Sequence, residues 1–169
     1  MNARLTFESK TTTMNIELGQ QAPEFSLYNT EKNKVSLSDY RGKNVVILFF
    51  PLAFSGVCTK EVCSVQENMG NYQKLNAEII GISVDSLFSL HKFKQEYSLD
   101  FELLSDFNKE VSDLYQSLNE NFAFEMKGVS KRSTFVLDKE GIVRFIEILD
   151  SPGDMPNFTE VQACLETLA

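Results

Sequence analysis

Residues 45–50 (VVILFF) run directly into residues 51–58 (PLAFSGVC). The first of these segments is apolar at every position, which predicts a central β-strand covered on both faces. A proline ends the strand abruptly, and a helix is predicted over residues 55–75 with Ser55 as a candidate N-cap. Cys58 is therefore expected in the first turn of a helix that follows a buried strand.

Short β-rich runs and amphipathic stretches alternate along the rest of the chain, which predicts an α/β fold with helices on the faces of a sheet. Residues 139–141 (KEG) form a turn between two β-rich runs, and the resulting antiparallel hairpin makes the sheet a mixed one. A mixed central sheet flanked by helices, with a terminal hairpin and a closing helix, is the architecture of thioredoxin-like folds, although periodicity alone leaves other α/β folds open. Besides residues 45–50, strands are predicted over 78–84, 101–104, 133–137 and 142–148, and helices over 86–97, 109–118 and 157–168.

The 169 residues are 43% hydrophobic and predict one domain, residues 14–169, preceded by a disordered extension, residues 1–13. A chain of this length buries roughly 70% of the surface that it would expose unfolded, so its core needs no disulfide or metal. The three cysteines are odd in number and too few for a disulfide scaffold. They fit a reducing compartment in which thiols are kept for chemistry or packing.

The charge and the apolar runs exclude several classes of protein. A net charge of -8, from 16 Lys+Arg and 24 Asp+Glu, gives an acidic surface that would repel nucleic acid and anionic membranes. No apolar run approaches the roughly 20 residues that cross a bilayer, and residues 1–13 have no secretory apolar region, so a cytoplasmic location is expected. His91, the single histidine, has no further metal ligands at a recognisable spacing, and no phosphate-binding glycine loop is present. Neither a metal nor an organic cofactor is expected.

Cys58 is the leading candidate for a reactive group. The unpaired backbone N–H groups of a first helical turn, together with the helix macrodipole, favour negative charge and hence the nucleophilic thiolate. Pro51 removes a backbone donor and stiffens the approach to the cysteine, Ser55 can hydrogen-bond its sulfur, and Gly56 permits close approach of a ligand. A cysteine that merely packs on an amphipathic helix is the alternative when these flanking residues are disregarded.

The spacing of Pro51, Ser55 and Cys58 matches the Pro-x-x-x-Thr/Ser-x-x-Cys motif, and the chain resembles the peroxiredoxins over nearly its whole length. Ser55 departs from the commoner threonine but keeps the hydroxyl group. The motif followed by Glu61 is most similar to the AhpE type of peroxiredoxin. Cys63 is instead similar to the bacterioferritin-comigratory (PrxQ) type, whose resolving thiol lies five residues after the first cysteine.

The resemblance implies a thiol-dependent peroxidase that reduces hydrogen peroxide or organic hydroperoxides. Cys58 would be the peroxidatic cysteine, which peroxide oxidises to a sulfenic acid. Arg132, at the position of an arginine that lies beside the sulfur in these proteins, would stabilise the thiolate and, with Ser55, the reacting peroxide. Glu61, one helical turn after Cys58, faces the same side and could orient water or Arg132. The simpler interpretations are a surface ion pair for Arg132 and a favourable early-helix charge for Glu61.

Cys63 is implied to be the resolving thiol of an atypical two-cysteine enzyme that a thioredoxin-like reductant recycles. On a regular helix the Cα atoms of Cys58 and Cys63 are roughly 8 to 9 Å apart, farther than a disulfide allows, so the helix must unwind for the bond to form. Inert packing of Cys63 is the alternative. Cys164 has the spacing of an apolar helical face and is expected to pack in the core.

Two other functions stay open as alternatives: a one-cysteine peroxiredoxin resolved by an external thiol, and a non-catalytic, redox-responsive binding module with a thioredoxin fold. A thioredoxin-like disulfide reductase is disfavoured because four residues, instead of two, separate Cys58 from Cys63. A glutathione peroxidase is disfavoured because the chain has no tryptophan. The resemblance leaves both a monomer and a homodimer open.

Overall fold

The computed structural model describes residues 15–169, so the predicted extension, residues 1–13, lies outside the described residues. Strands and helices alternate along the described chain. The strands are β1 (Ser26–Asn29), β2 (Lys34–Ser36), β3 (Asn44–Phe49), β4 (Ala77–Ser83), β5 (Glu102–Ser105), β6 (Leu118–Asn119), β7 (Val129–Ser130), β8 (Ser133–Leu137) and β9 (Val143–Ile148). The helices are α1 (Gly56–Glu67), α2 (Met69–Lys74), α3 (Leu87–Glu96), α4 (Glu110–Leu114) and α5 (Phe158–Leu168).

Seven strands form one sheet in the order β2-β1-β5-β4-β3-β8-β9, and β6 pairs with β7 separately. The β3–β4 and β4–β5 pairs are parallel. The β1–β2, β1–β5, β3–β8 and β8–β9 pairs are antiparallel. Helices α1, α2, α3 and α5 pack on one face of the sheet, and α4 packs on the other. The predicted α/β fold, a mixed sheet flanked by helices, is thus confirmed, and every residue of β3 is buried as predicted.

The helix predicted over residues 55–75 is wrong as a single element, because the chain breaks at Asn68 between α1 and α2. The Asn68 side chain donates to the carbonyl oxygen of Ser64 at 2.9 Å, while its backbone N–H donates to the carbonyl of Val65 at 3.0 Å. An asparagine amide that occupies the i−4 carbonyl competes with the helical backbone bond, and the turn tightens to the 3₁₀ pattern.

The helix predicted over residues 109–118 is also wrong in its extent, because α4 ends at Leu114. Gln116 adopts a φ of 56°, in the left-handed region that stops a helix. Its N–H donates to the carbonyl of Asp113, and the N–H of Ser117 donates to the carbonyl of Ser112 at 2.7 Å. This pair of bonds is a Schellman cap, which turns the chain toward the short strand β6.

The register of the sheet brings two distant parts of the chain together. β3 and β8 pair antiparallel with Phe49 opposite Ser133. Arg132, the residue before β8, therefore lies beside the end of β3, where the chain enters the segment that leads to Cys58. No helix within residues 15–169 is long and apolar enough to cross a membrane.

Candidate active site

Cys58 lies in the first turn of α1, as the sequence predicts. The helix begins at Gly56 after Ser55 as N-cap, and the N–H of Thr59 closes the first turn on the Ser55 carbonyl at 3.0 Å. The Cys58 side chain is 1% exposed and belongs to the hydrophobic core between α1 and the sheet. A sulfur in this position is shielded from solvent, while the N-terminal end of the helix favours its negative charge.

Arg132 lies at the centre of the site and donates three hydrogen bonds. Its Nη1 donates to Oε2 of Glu61 in an ion pair, and its Nη2 donates to Sγ of Cys58 at 3.4 Å. The same Nη2 also donates to the carbonyl oxygen of Pro152 at 2.9 Å. Arg132 is 1% exposed, so the ion pair is a buried one and the surface-ion-pair interpretation is wrong.

Glu61 is completely buried one helical turn after Cys58, where it contacts the guanidinium group. Burial raises its pKa from 4.5 to about 7, although the charge of Arg132 acts in the opposite direction. Burial would lower the pKa of Arg132, but attraction to Glu61 and Cys58 outweighs it and the pKa is raised. Arg132, which stays positively charged, thus contacts both Glu61 and Cys58. The charge of Glu61, in contrast, changes with pH near neutrality.

The free energy of unfolding is expected to fall as the pH rises from about 4.5 to about 7, because Glu61 loses its proton in this range. A carboxyl group whose folded pKa exceeds its unfolded pKa binds more protons in the folded state over this window, so its contribution is complete below the lower value and lost above the higher one. The change is on the order of 1–3 kcal/mol. Denaturant unfolding at a series of pH values measures it.

The matched variant Glu61→Gln keeps the size of the side chain and an oxygen that can accept from Arg132, but it does not titrate. Its free energy of unfolding should lack the part of the pH dependence that Glu61 supplies. An identical slope in the variant and the parent protein would show that Glu61 does not change its protonation on unfolding.

Ser55 and Pro51 flank the cysteine in different ways. Pro51 is buried two residues after the end of β3, and Ser55 precedes α1. The Ser55 hydroxyl donates to the carbonyl oxygen of Leu52 at 2.9 Å. Its hydrogen is therefore used within the loop, and the predicted bond from Ser55 to the sulfur is not formed in this conformation.

Two residues that sequence reasoning missed fix the loop before Cys58. Oδ2 of Asp85 accepts from the backbone N–H of Ala53 at 2.8 Å and from the Ser83 hydroxyl at 2.6 Å. Phe54 adopts a φ of 65°, which is uncommon for a bulky residue, and its ring packs 5.0 Å from that of Phe93. Asp85 directly follows the strand predicted over residues 78–84, and this position was the one sign of its role in the sequence. Its partner could not be predicted, because it is a backbone group 32 residues away.

The other two cysteines have no comparable contacts. Cys63, on the same helix as Cys58, is partly buried, and burial followed by the charge of Glu67 raises its pKa. Cys164 packs partly against the core, and its Sγ lies 3.8 Å from the carbonyl oxygen of Arg144. Burial raises the pKa of Cys164 as well. All three thiols are free, and within residues 15–169 only Cys58 is hydrogen-bonded to a cationic side chain.

His91 is exposed on α3. No group of three or more His, Cys, Asp or Glu residues in the described part of the chain is arranged to hold a metal ion. The groups collected around Cys58 are therefore a thiol, a guanidinium, a carboxyl and backbone amides.

A thiol in a first helical turn, fixed beside a buried guanidinium on a thioredoxin-like sheet, defines a thiol enzyme of the thioredoxin superfamily. The chain belongs to the AhpC/TSA family, whose match spans residues 18–146, and it is a peroxiredoxin. Peroxiredoxins are thiol peroxidases, enzymes of the oxidoreductase class.

Relatives and solved structures agree with this assignment. The chain is 39% identical to Peroxiredoxin Bcp of Bacillus subtilis over 130 residues, which cover 76% of this chain and 82% of the relative. The crystal structure of Enterococcus faecalis AhpC superposes with a TM-score of 0.80 at 28% identity and covers 91% of this chain and 92% of its own. Peroxidoxin BcpB from Mycobacterium tuberculosis superposes with a TM-score of 0.81 over 92% of this chain and 99% of its own; at 24% identity it supports the fold alone. The resemblance to the bacterioferritin-comigratory type is confirmed by the Bcp relative.

Proposed function

We propose that the chain reduces hydroperoxides through Cys58 as the peroxidatic cysteine. The observation that carries the proposal is the 3.4 Å contact between Arg132 Nη2 and Cys58 Sγ in a buried first helical turn. The thiolate sulfur attacks one peroxide oxygen, an S–O bond forms as the O–O bond breaks, and the other oxygen leaves with the bonding electron pair. With a proton from solvent it departs as water or an alcohol, and Cys58 becomes a sulfenic acid.

The residues around Cys58 have complementary roles in this step. Arg132 stabilises the thiolate before attack and the charge on the leaving oxygen during it, together with backbone N–H groups of the first turn of α1. Ser55 gives its hydrogen to Leu52, so its oxygen can accept a hydrogen bond from a peroxide hydroxyl. Pro51 shapes the entrance to the cysteine. Glu61 orients Arg132 through the Nη1 bond.

We assign Cys63 the role of resolving thiol. Its raised pKa makes it a poor first nucleophile at neutral pH, which leaves the first step to Cys58. Because both residues lie in α1, the first turns of the helix must unwind before the thiol of Cys63 can attack the sulfenic acid and release water. The disulfide formed in this way would be reduced by a thioredoxin-like dithiol in a reducing compartment such as the cytoplasm.

One equivalent of peroxide is expected to convert the reduced wild-type protein to an intramolecular Cys58–Cys63 disulfide. Intact-mass analysis under single-turnover conditions should show the loss of two hydrogen atoms, and peptide mapping should link the two cysteines. Cys63→Ser should instead gain one oxygen atom at Cys58, because the sulfenic acid then has no partner in the chain. Cys164→Ser is the matched control and should form the disulfide like the wild type.

The same experiment separates the alternatives. A wild-type protein that gains only oxygen would be a one-cysteine enzyme resolved by an external thiol, a possibility favoured by the intact helix that keeps the two thiols apart. A disulfide between two chains would also defeat the assignment of Cys63. A folded, reduced protein that leaves peroxide unchanged would overturn the peroxidase itself and favour a redox-responsive binding module.

A further inference from the structure

The loop between β9 and α5, residues 149–157, reaches the guanidinium group of Arg132. The carbonyl oxygen of Pro152 accepts from Nη2 at 2.9 Å, and this is the same nitrogen that donates to Cys58 Sγ. Both hydrogens of this nitrogen are thus assigned, one to the sulfur and one to the loop. The sequence does not reveal that the Pro152 carbonyl is a partner of Arg132, because every residue has a backbone carbonyl and no residue type marks this one.

The ends of this loop are fixed to the same edge of the sheet. The N–H of Leu149 donates to the backbone carbonyl of Arg132 at 2.9 Å, and the N–H of Asn157 donates to Oε2 of Glu147 at 3.0 Å. Pro156 is buried, whereas residues 150–155 are exposed. The loop is therefore attached at both ends, and its exposed middle carries a single carbonyl group inward to the arginine.

The middle of the loop is a β-turn whose form decides where that carbonyl points. The N–H of Asp154 donates to the carbonyl of Ser151 at 3.2 Å, which places Pro152 and Gly153 at the two central positions. A Pro-Gly pair favours the type II turn, in which the second central residue has positive φ. Gly153 does not adopt positive φ, so the turn is not of type II.

Types I and II differ by a rotation of about 180° of the central peptide, the one that carries the Pro152 carbonyl. The turn can therefore exchange between them while Ser151 and Asp154 stay in place. In the observed form the carbonyl meets the guanidinium; in the type II form it would point away. A charge-assisted hydrogen bond is strong enough to select the form that the sequence disfavours.

We propose that the Pro152 carbonyl is a positioning group for Arg132, and that the orientation of the Pro152–Gly153 peptide determines how well the guanidinium is held against Cys58. This inference rests on the proposed peroxidase function, because Arg132 acts there on the thiolate and on the leaving oxygen. Pro152 itself touches neither the sulfur nor the peroxide in this scheme.

The test is a pair of proteins with L-alanine or D-alanine at position 153, made by joining a synthetic peptide of residues 151–169 to a recombinant fragment. The two proteins differ only in chirality. L-alanine disfavours positive φ and keeps the observed turn, and its Cβ would meet only the Ser151 hydroxyl, at 3.8 Å. D-alanine favours the type II turn and rotates the carbonyl away from Arg132.

The D-alanine protein should react with hydrogen peroxide about tenfold more slowly than the L-alanine protein, as expected when a charge-assisted hydrogen bond is lost. Its Cys58 thiolate, followed by ultraviolet absorbance as the pH is raised, should form at higher pH. The titration needs no peroxide and would not respond to a purely structural role of the loop. Equal titration curves for two folded proteins overturn the proposal, whatever their rates.

Recombinant variants provide a second comparison if the D-alanine protein does not fold. Pro152→Gly frees φ at the first central position and should shift the titration in the same direction, whereas Gly153→Ala and the matched loop variant Asp154→Ala should not. A Pro152→Gly protein that titrates like Asp154→Ala would equally overturn the positioning role. Failure of the proposed function is distinguishable, because in that case the wild-type protein itself would not consume peroxide.

Discussion

Replacing Cys58 by serine is expected to abolish peroxide consumption, with a fall of roughly 10³-fold or more in the rate constant. The hydroxyl group of serine stays protonated at neutral pH, so Arg132 has no anion to stabilise and the peroxide meets no nucleophile. The substitution is almost isosteric in a side chain that is 1% exposed, so the fold should be retained. The measurement is hydrogen peroxide consumption in the presence of a thioredoxin-type reductant.

Cys164→Ser is the matched control, since Cys164 lies on α5 and its sulfur is hydrogen-bonded to a backbone carbonyl and to no charged side chain. It should consume peroxide at the wild-type rate. Activity that survives in Cys58→Ser but disappears in Cys63→Ser would transfer the peroxidatic role to Cys63. Thermal unfolding of each variant distinguishes loss of the nucleophile from loss of the fold.

The central strands were predictable because a strand that is buried on both faces has consecutive apolar residues in the sequence. β3 has six buried residues, and β8 begins and ends where the β-rich run predicts. The β1–β2 hairpin escaped prediction because its strands have three or four residues and are mostly exposed or half-buried. The break at Asn68 was missed for a different reason: it depends on which carbonyl one amide side chain selects.

The site was predictable where it depends on residue type and not where it depends on backbone geometry. The first-turn position of Cys58 follows from local pattern, whereas the proximity of Arg132 came from resemblance to a family and is explained by the β3–β8 register. Asp85 and Pro152 act through bonds to or from backbone groups, which have no side-chain signature. Ser55 shows the converse, since its hydroxyl donates to the Leu52 carbonyl instead of to the predicted sulfur.

Replacing Arg132 is expected to cause the second largest fall in the rate of peroxide reduction. Removing one preorganised donor from a developing oxyanion costs about 10²- to 10³-fold in rate, and Arg132 additionally stabilises the thiolate. Arg132→Lys should recover little of this, because a single ammonium group cannot bond Glu61, Cys58 and Pro152 in the planar geometry of a guanidinium. Stopped-flow measurement of the reaction between the reduced protein and hydrogen peroxide gives the rate constant.

Loss of the arginine also leaves Glu61 unpaired in a site where it is completely buried, and breaking a buried ion pair costs about 3–5 kcal/mol. Comparing Arg132→Met with the double variant Arg132→Met/Glu61→Gln separates the two consequences. The double variant should regain most of the stability, because no buried carboxyl group is left without its partner, but it should stay as slow as the single variant. Recovery of the rate together with the stability would mean that Arg132 serves the fold alone, and the contact with Cys58 Sγ would then have no part in the reaction.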